Sequence, residues 1–158
     1  LVEVTVAIGI MAFCLLAVVG LLPTGLKSIK NANEQAGAAA VLGGITEALR
    51  NASSDDGIDY EATYGGKQFD YSVGGASSST EWDQLTLNGQ PDAADGRLRA
   101  RLDILQTPSA DPPRPGRAVV SVAWPAVAGP TWNTNQTWDK AEGAVTMGIQ
   151  FTPAPPRE

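Results

Sequence analysis

The stretch from Val4 to Leu22 reads VTVAIGIMAFCLLAVVGLL, 19 residues without a charge. As an α-helix rising ~1.5 Å per residue it spans roughly 28 Å, close to the hydrocarbon thickness of a bilayer. A helix in the core of a water-soluble domain keeps a polar stripe toward solvent, and this run has none. The expectation is a membrane-resident helix. No basic segment precedes the run and no small-residue cleavage site follows it, so a cleaved secretory signal is not expected.

Outward from that run the chain changes character. Upstream, Glu3 places a carboxylate at the edge of a hydrocarbon-length helix, where a charge is expensive and usually has a task. A plain alternative is that Glu3 favours the positive end of the helix dipole or rests among lipid headgroups. Downstream, Pro23 lies between Gly20 and Gly25 and is expected to interrupt the helix, because it lacks a donor and crowds the preceding turn. Lys27 and Lys30 come next. Helical spacing then resumes, with Ile29, Ala32, Ala36 and Ala40 on one face, continued by Val41, Ile45, Ala48 and Leu49. Asn31, Asn33, Glu34, Thr46, Glu47 and Arg50 supply the polar positions. The small-sided run AGAAAVLGG leaves a thin face that lets another helix approach, while Gly43 and Gly44 each weaken the helix by ~1 kcal/mol.

LVEVTVAIGIMAFCLLAVVGLLPTGL, with its single early glutamate and the long helix that follows, resembles the N-terminal segment of type IV pilins and of type II secretion pseudopilins. The resemblance covers roughly the first 50 residues. It implies a subunit cut by a prepilin peptidase, methylated at its new N-terminus and held in the inner membrane until the pilus assembly machinery polymerises it. The partner implied is then the chain itself, in a homopolymeric helical filament on the cell surface, with Glu3 pairing to a neighbouring subunit's amino terminus. The family's glutamate is normally fifth, whereas here it is third: either two residues stand ahead of Leu1, the favoured expectation, or processing differs, and Leu1 is not taken as the methylated residue. A minor pseudopilin of a secretion system and a simple single-pass anchored extracytoplasmic binding domain remain as alternatives.

After residue 55 the period drops to two. YEATY and KQFDYSV flank Gly65-Gly66, the pattern of a hairpin. Trp82 to Leu87, Arg97 to Leu105, Ala118 to Trp124 and Val145 to Phe151 read as further strands, with Leu98, Ala100, Leu102 and Ile104 on one face of the second. Leu102, Ile104, Val120, Val122 and Ile149 are the expected core. The segments PSADPPRPG and PAVAGPTWNTNQTWD read as loops and PAPPRE as an extended tail. A long helix followed by strands, without β-α-β alternation, is an α+β pattern. The resemblance adds that the helix packs on a C-terminal antiparallel sheet. Three segments follow: an apolar transmembrane or filament-core helix over 1–26, its amphipathic continuation over 27–52, and a β-rich head over 53–158.

Composition excludes much chemistry. The chain has 158 residues, no histidine, one cysteine (Cys14, inside the apolar run) and a net charge of −6. The commonest general base, an intrachain disulfide and a thiolate metal cluster are therefore excluded, and an acidic chain is not expected to bind nucleic acid. No phosphate loop, nucleophile elbow or metal-binding helix is present, so neither an enzyme nor a cofactor is expected. Asp55, Asp56 and Asp59, with Glu61 nearby, are weak calcium candidates, but their spacing is not that of an EF-hand and a solvated turn is the favoured explanation. Asp92 and Asp95 are weaker candidates still. Arg97, Arg99 and Arg101 line one strand face and are expected to be solvated. Trp124, Trp132 and Trp138 have core or loop-anchoring roles ahead of a sugar platform. Asn51 and Asn135 head N-glycosylation triplets of the kind that arise by chance.

Overall fold

The computed structural model describes residues 2–92, 96–110, 113–126, 131–132 and 138–152. Leu1, Asp95, Asn135, the tail 153–158 and the side chain of Trp132 lie outside the described residues. Helix α1 (Val2–Arg50) is followed by β1 (Asp59–Tyr64), β2 (Lys67–Ser72), β3 (Ser78–Leu85), β4 (Leu98–Gln106), β5 (Ser109–Ala110), β6 (Pro113–Arg114), β7 (Gly116–Trp124), β8 (Thr131–Trp132), β9 (Trp138–Asp139) and β10 (Gly143–Phe151). The layout is α+β, a long apolar N-terminal helix and a C-terminal antiparallel sheet. By contacts the chain divides into two compact units, Leu1–Asn33 and Glu34–Glu158.

Pro23 does not interrupt α1, which is helical on both sides of it. This corrects the expected break at Gly20 and Pro23. A proline removes one donor and leaves one carbonyl unserved, a cost of ~3 kcal/mol that the many remaining hydrogen bonds of a long helix absorb. The helix ends at Arg50, where the Asn51 amide still donates to the Glu47 carbonyl at 2.9 Å.

In the second unit the helix buries Glu34, Gly37, Ala38, Val41, Leu42, Ile45 and Leu49. Their spacing of three and four residues is one face of a helix. That face differs from the expected one: Ile29, Ala32, Ala36 and Ala40 are exposed, whereas Val41, Ile45 and Leu49 are buried as expected. The amphipathic half therefore begins at Glu34 and not at Lys27. A Cβ added at Gly37 would come 2.7 Å from Leu87 Cδ2, so the absence of a side chain is what seats the helix on the 86–90 turn.

The main sheet has four antiparallel strands in the order β10-β7-β4-β3. Cross-strand pairs such as Ala100↔Val122 and Leu102↔Val120 align the apolar positions of neighbouring strands on one face. Leu98, Ala100, Leu102, Ile104, Val120, Val122, Ile149 and Phe151 join the buried helix residues in one cluster, the faces expected from alternation. Burial of such a face supplies most of the driving force for the fold, at about 25 cal/mol per Å².

The β1–β2 hairpin closes through Gly65 and Gly66, whose φ angles of 53° and 73° are left-handed. A two-residue loop with both residues at positive φ matches the right-handed strand twist and favours glycine. Tyr60 and Tyr71 stack at 5.2 Å between ring centroids, and Tyr71 stands edge-on to Phe151 at 5.1 Å. These rings carry the hairpin into the core. Two short pairings, β5–β6 and β8–β9, lie in segments expected to be loops.

Candidate functional site

Every described residue from Val2 to Asn33 is exposed. Phe13 is 74% exposed, Leu16 72% and Leu21 70%. No side of the helix is reserved for water, because large aliphatic residues point in all directions from Val2 to Leu22. An apolar surface of this extent is far beyond what a protein leaves in water and marks a contact with lipid or with other protein. The segment is long and apolar enough to cross a membrane.

Glu3 stands in the first turn of this surface. It is the only charged residue before Lys27. Its carboxylate is favoured by the unsatisfied amides at the helix N-terminus. Two positions on, the Thr5 hydroxyl donates to the Val2 carbonyl at 3.2 Å. Cys14 is exposed on the same helix.

No protein-family model matches the chain, and no curated protein or solved structure is significantly similar to it. The site is therefore read from its own chemistry.

The remaining candidates separate clearly. Asp56 does not reach outward for a cation. Its Oδ1 accepts hydrogen bonds from the Ser54 hydroxyl at 2.9 Å and from the amides of Ile58 at 2.8 Å and Asp59 at 3.0 Å, while the Gly57 amide donates to Ser54 Oγ at 2.9 Å. The amide of Asp59, then that of Ile58, then the Ser54 hydroxyl hold the Asp56 carboxyl below its ordinary value. Among the described residues no group of three metal-ligating side chains converges. Within the weak calcium candidates Asp55, Asp56 and Asp59, Oδ1 of the central carboxylate is used in closing a turn, as aspartate commonly is.

Arg99 and Arg101 of the arginine row carry their own counter-charges. Arg99 Nη2 lies 3.0 Å from Asp83 Oδ1, Arg101 Nε lies 2.8 Å from Asp103 Oδ1, and Arg101 Nη1 also bonds Glu81. These exposed or half-buried pairs each contribute little to stability. Beside them a groove of about 370 Å³ with both polar and apolar walls is lined by Ser78, Arg101, Leu105, Val119, Ser121 and Thr146, among others. Ser121 and Thr146 bond each other there at 3.1 Å. Trp124 is 8% exposed and belongs to the core cluster, not to an open platform.

Two features escaped sequence reasoning. Glu34 is 1% exposed, although it was expected at a polar position. Its place four residues before Ala38 put it on the buried stripe, but its chemistry argued otherwise. The second is that β10, among the described residues, ends the main sheet, which no local pattern announces.

Proposed function

We propose that the chain is a structural subunit of a type IV pilus or pilus-like extracellular filament, polymerising through its apolar N-terminal helix. One observation carries the reading: from Val2 to Asn33 the helix is exposed all round, and Glu3 is the only charge before Lys27. A lipid-facing anchor needs the apolar surface and gains from Glu3 only the modest favour of a negative charge at a helix N-terminus. A polymer uses both. Before assembly, the inner membrane covers the apolar side chains, with the head outside the cytoplasm. After processing by a prepilin peptidase and extraction by the assembly machinery, neighbouring helices cover them instead. Glu3 then pairs with the amino terminus of an adjacent subunit, which answers the several kcal/mol that an unpaired carboxylate would cost in an apolar core.

The uniform apolar surface fits equally a minor pseudopilin of a type II secretion system or a simple anchored domain. Glu3 separates polymer from anchor. Glu3→Leu should leave the protein inserted in the membrane at its normal level and sharply reduce filament recovered from the cell surface. Normal filament yield from Glu3→Leu would remove the reading. Abundance separates the two polymers: as the dominant band of purified surface filaments, the chain is the bulk subunit.

A further inference from the structure

The apolar surface of the first unit stops abruptly. Glu3 is the only charge before Lys27, and Leu26 is followed directly by the polar run KSIKNAN, whose charges are Lys27 and Lys30. Both lysines are exposed. They stand three residues apart, so they are neighbours on one side of the helix. The segment is helical from Val2 through Asn33 without a break at Pro23, so one rise per residue holds along its length. Lys27 lies 24 residues beyond Glu3 and Lys30 lies 27 beyond it, which sets them ~36 Å and ~40 Å from it along the axis. A bilayer is about 30 Å thick across its hydrocarbon and about 40–45 Å thick across its headgroups. Both separations fall between these limits. Tilting the helix by ~20°, the average for a membrane span, shortens them to ~34 Å and ~38 Å, still between the limits. With Glu3 in one headgroup layer, both ammonium groups lie in the opposite one.

We propose that Lys27 and Lys30 bind phosphate groups of phospholipids in the leaflet at the C-terminal end of the apolar segment, and that these contacts set the depth of the helix. The headgroup layer supplies what two adjacent cations need, because each phosphodiester carries a negative charge on oxygens that accept hydrogen bonds from an ammonium. A lysine stem lies along apolar surface while its head stays in the polar layer, and a leaflet rich in anionic lipid adds a general attraction. Sliding of the helix toward its N-terminal side would draw Lys27 into hydrocarbon, where a charge is costly, so the contacts oppose that movement. The inference rests on the membrane-held stage of the proposed function, and not on polymerisation or on the pairing of Glu3. Leu15 is midway between Glu3 and Lys27. Cys14, the only cysteine of the chain, therefore falls ~1.5 Å from the bilayer midplane and reports the depth of the span.

The test uses the full chain in vesicles of phosphatidylglycerol and phosphatidylcholine, in phosphate-free buffer so that lipid is the source of phosphorus. With the lysine side chains isotopically labelled, solid-state dipolar coupling between lysine Nζ and lipid phosphorus reads the contact directly. The coupling should be present in the parent, lost in Lys27→Leu with Lys30→Leu, and kept in Lys67→Gln with Lys140→Gln, which removes the other two lysines of the chain. A second arm reads depth. A nitroxide on Cys14 should lie near the bilayer centre in the parent and move by at least ~3 Å, two residues of rise, in Lys27→Leu with Lys30→Leu. No coupling in the parent, coupling that survives the loss of Lys27 and Lys30, or a nitroxide that stays in place overturns the proposal. A nitroxide open to water in the parent vesicles shows that the helix does not cross, and removes the membrane reading together with the proposal. A nitroxide buried at the centre without Nζ–phosphorus contact removes the proposal alone.

Discussion

Gly44 of α1 lies directly against the ring of Tyr64, at the end of β1, in space that a β-carbon would occupy. The Tyr64 hydroxyl fills the corresponding space at Gly89, in the turn after β3. The ring also stands edge-on to Trp82 at 6.1 Å, and the Trp82 indole N–H donates to the Tyr64 carbonyl at 2.8 Å. One tyrosine thus ties helix, hairpin and sheet together, and it does so through the absence of side chains on two glycines.

Adjacent glycines should therefore respond with opposite signs. Gly43 is exposed with nothing within 4 Å of an added Cβ, so Gly43→Ala should stabilise the head by ~1 kcal/mol through helix propensity. Gly44→Ala should destabilise it by about 1–3 kcal/mol, because the Tyr64 ring must move. Thermal melts of both variants decide the matter, and equal shifts of the same sign would contradict the contact.

Tyr71 is buried with its hydroxyl making no hydrogen bond among the described residues. Burial first, then the neighbouring Tyr60, pushes its pKa from 10.0 up to about 12. A raised acid favours the fold only while it stays protonated. This contribution is complete below pH 10 and is lost as pH rises from 10 toward 12. Tyr71→Phe removes both the titration and an unmet polar group, and it should be neutral or stabilising by about 1 kcal/mol at pH 7. Stability followed across pH 8 to 12 should fall less steeply in the variant than in the parent.

Asp56 titrates in the other direction. Its carboxyl is held low by the Asp59 and Ile58 amides and the Ser54 hydroxyl, so its stabilising effect is present above an ordinary carboxyl value of ~4 and is lost as pH falls through the lower value of the fold. Asp56→Asn should lower stability at pH 6, and the gap between variant and parent should close toward pH 2. A gap independent of pH would place the effect elsewhere.

Pro23 leaves the Val19 carbonyl without its helical donor, and Gly20 shares the turn. In detergent or lipid the helix should persist, as backbone groups in hydrocarbon require, yet amides of residues 20–25 should exchange with deuterium faster than those of residues 8–13. Pro23→Ala should equalise the two segments by restoring a contribution of ~3 kcal/mol. Uniform exchange in the parent protein would show that the proline weakens nothing.

Much of this protein was legible in local pattern. Nineteen residues without a charge declare an apolar helix, two consecutive glycines between alternating segments declare a hairpin, and the alternation in LRARLDIL assigns Leu98, Ala100, Leu102 and Ile104 to the core, because these depend on periods of two and 3.6 that one segment carries by itself. The tertiary structure alone decided the rest. Ala36 and Ala40 looked as apolar as Ala38, but only the sheet's position settles which side of the helix is covered, and it draws in Glu34 as well. Asp56 could have faced a cation until three donors of its own turn took its oxygen. Gly43 and Gly44 are identical in sequence terms and differ only in that Tyr64, twenty residues away from Gly44, arrives over one of them. Strand order, which among the described residues puts β10 and β3 at the two ends of the main sheet, depends on pairings between distant segments. Local sequence encodes which faces are apolar, and long-range packing chooses what meets them.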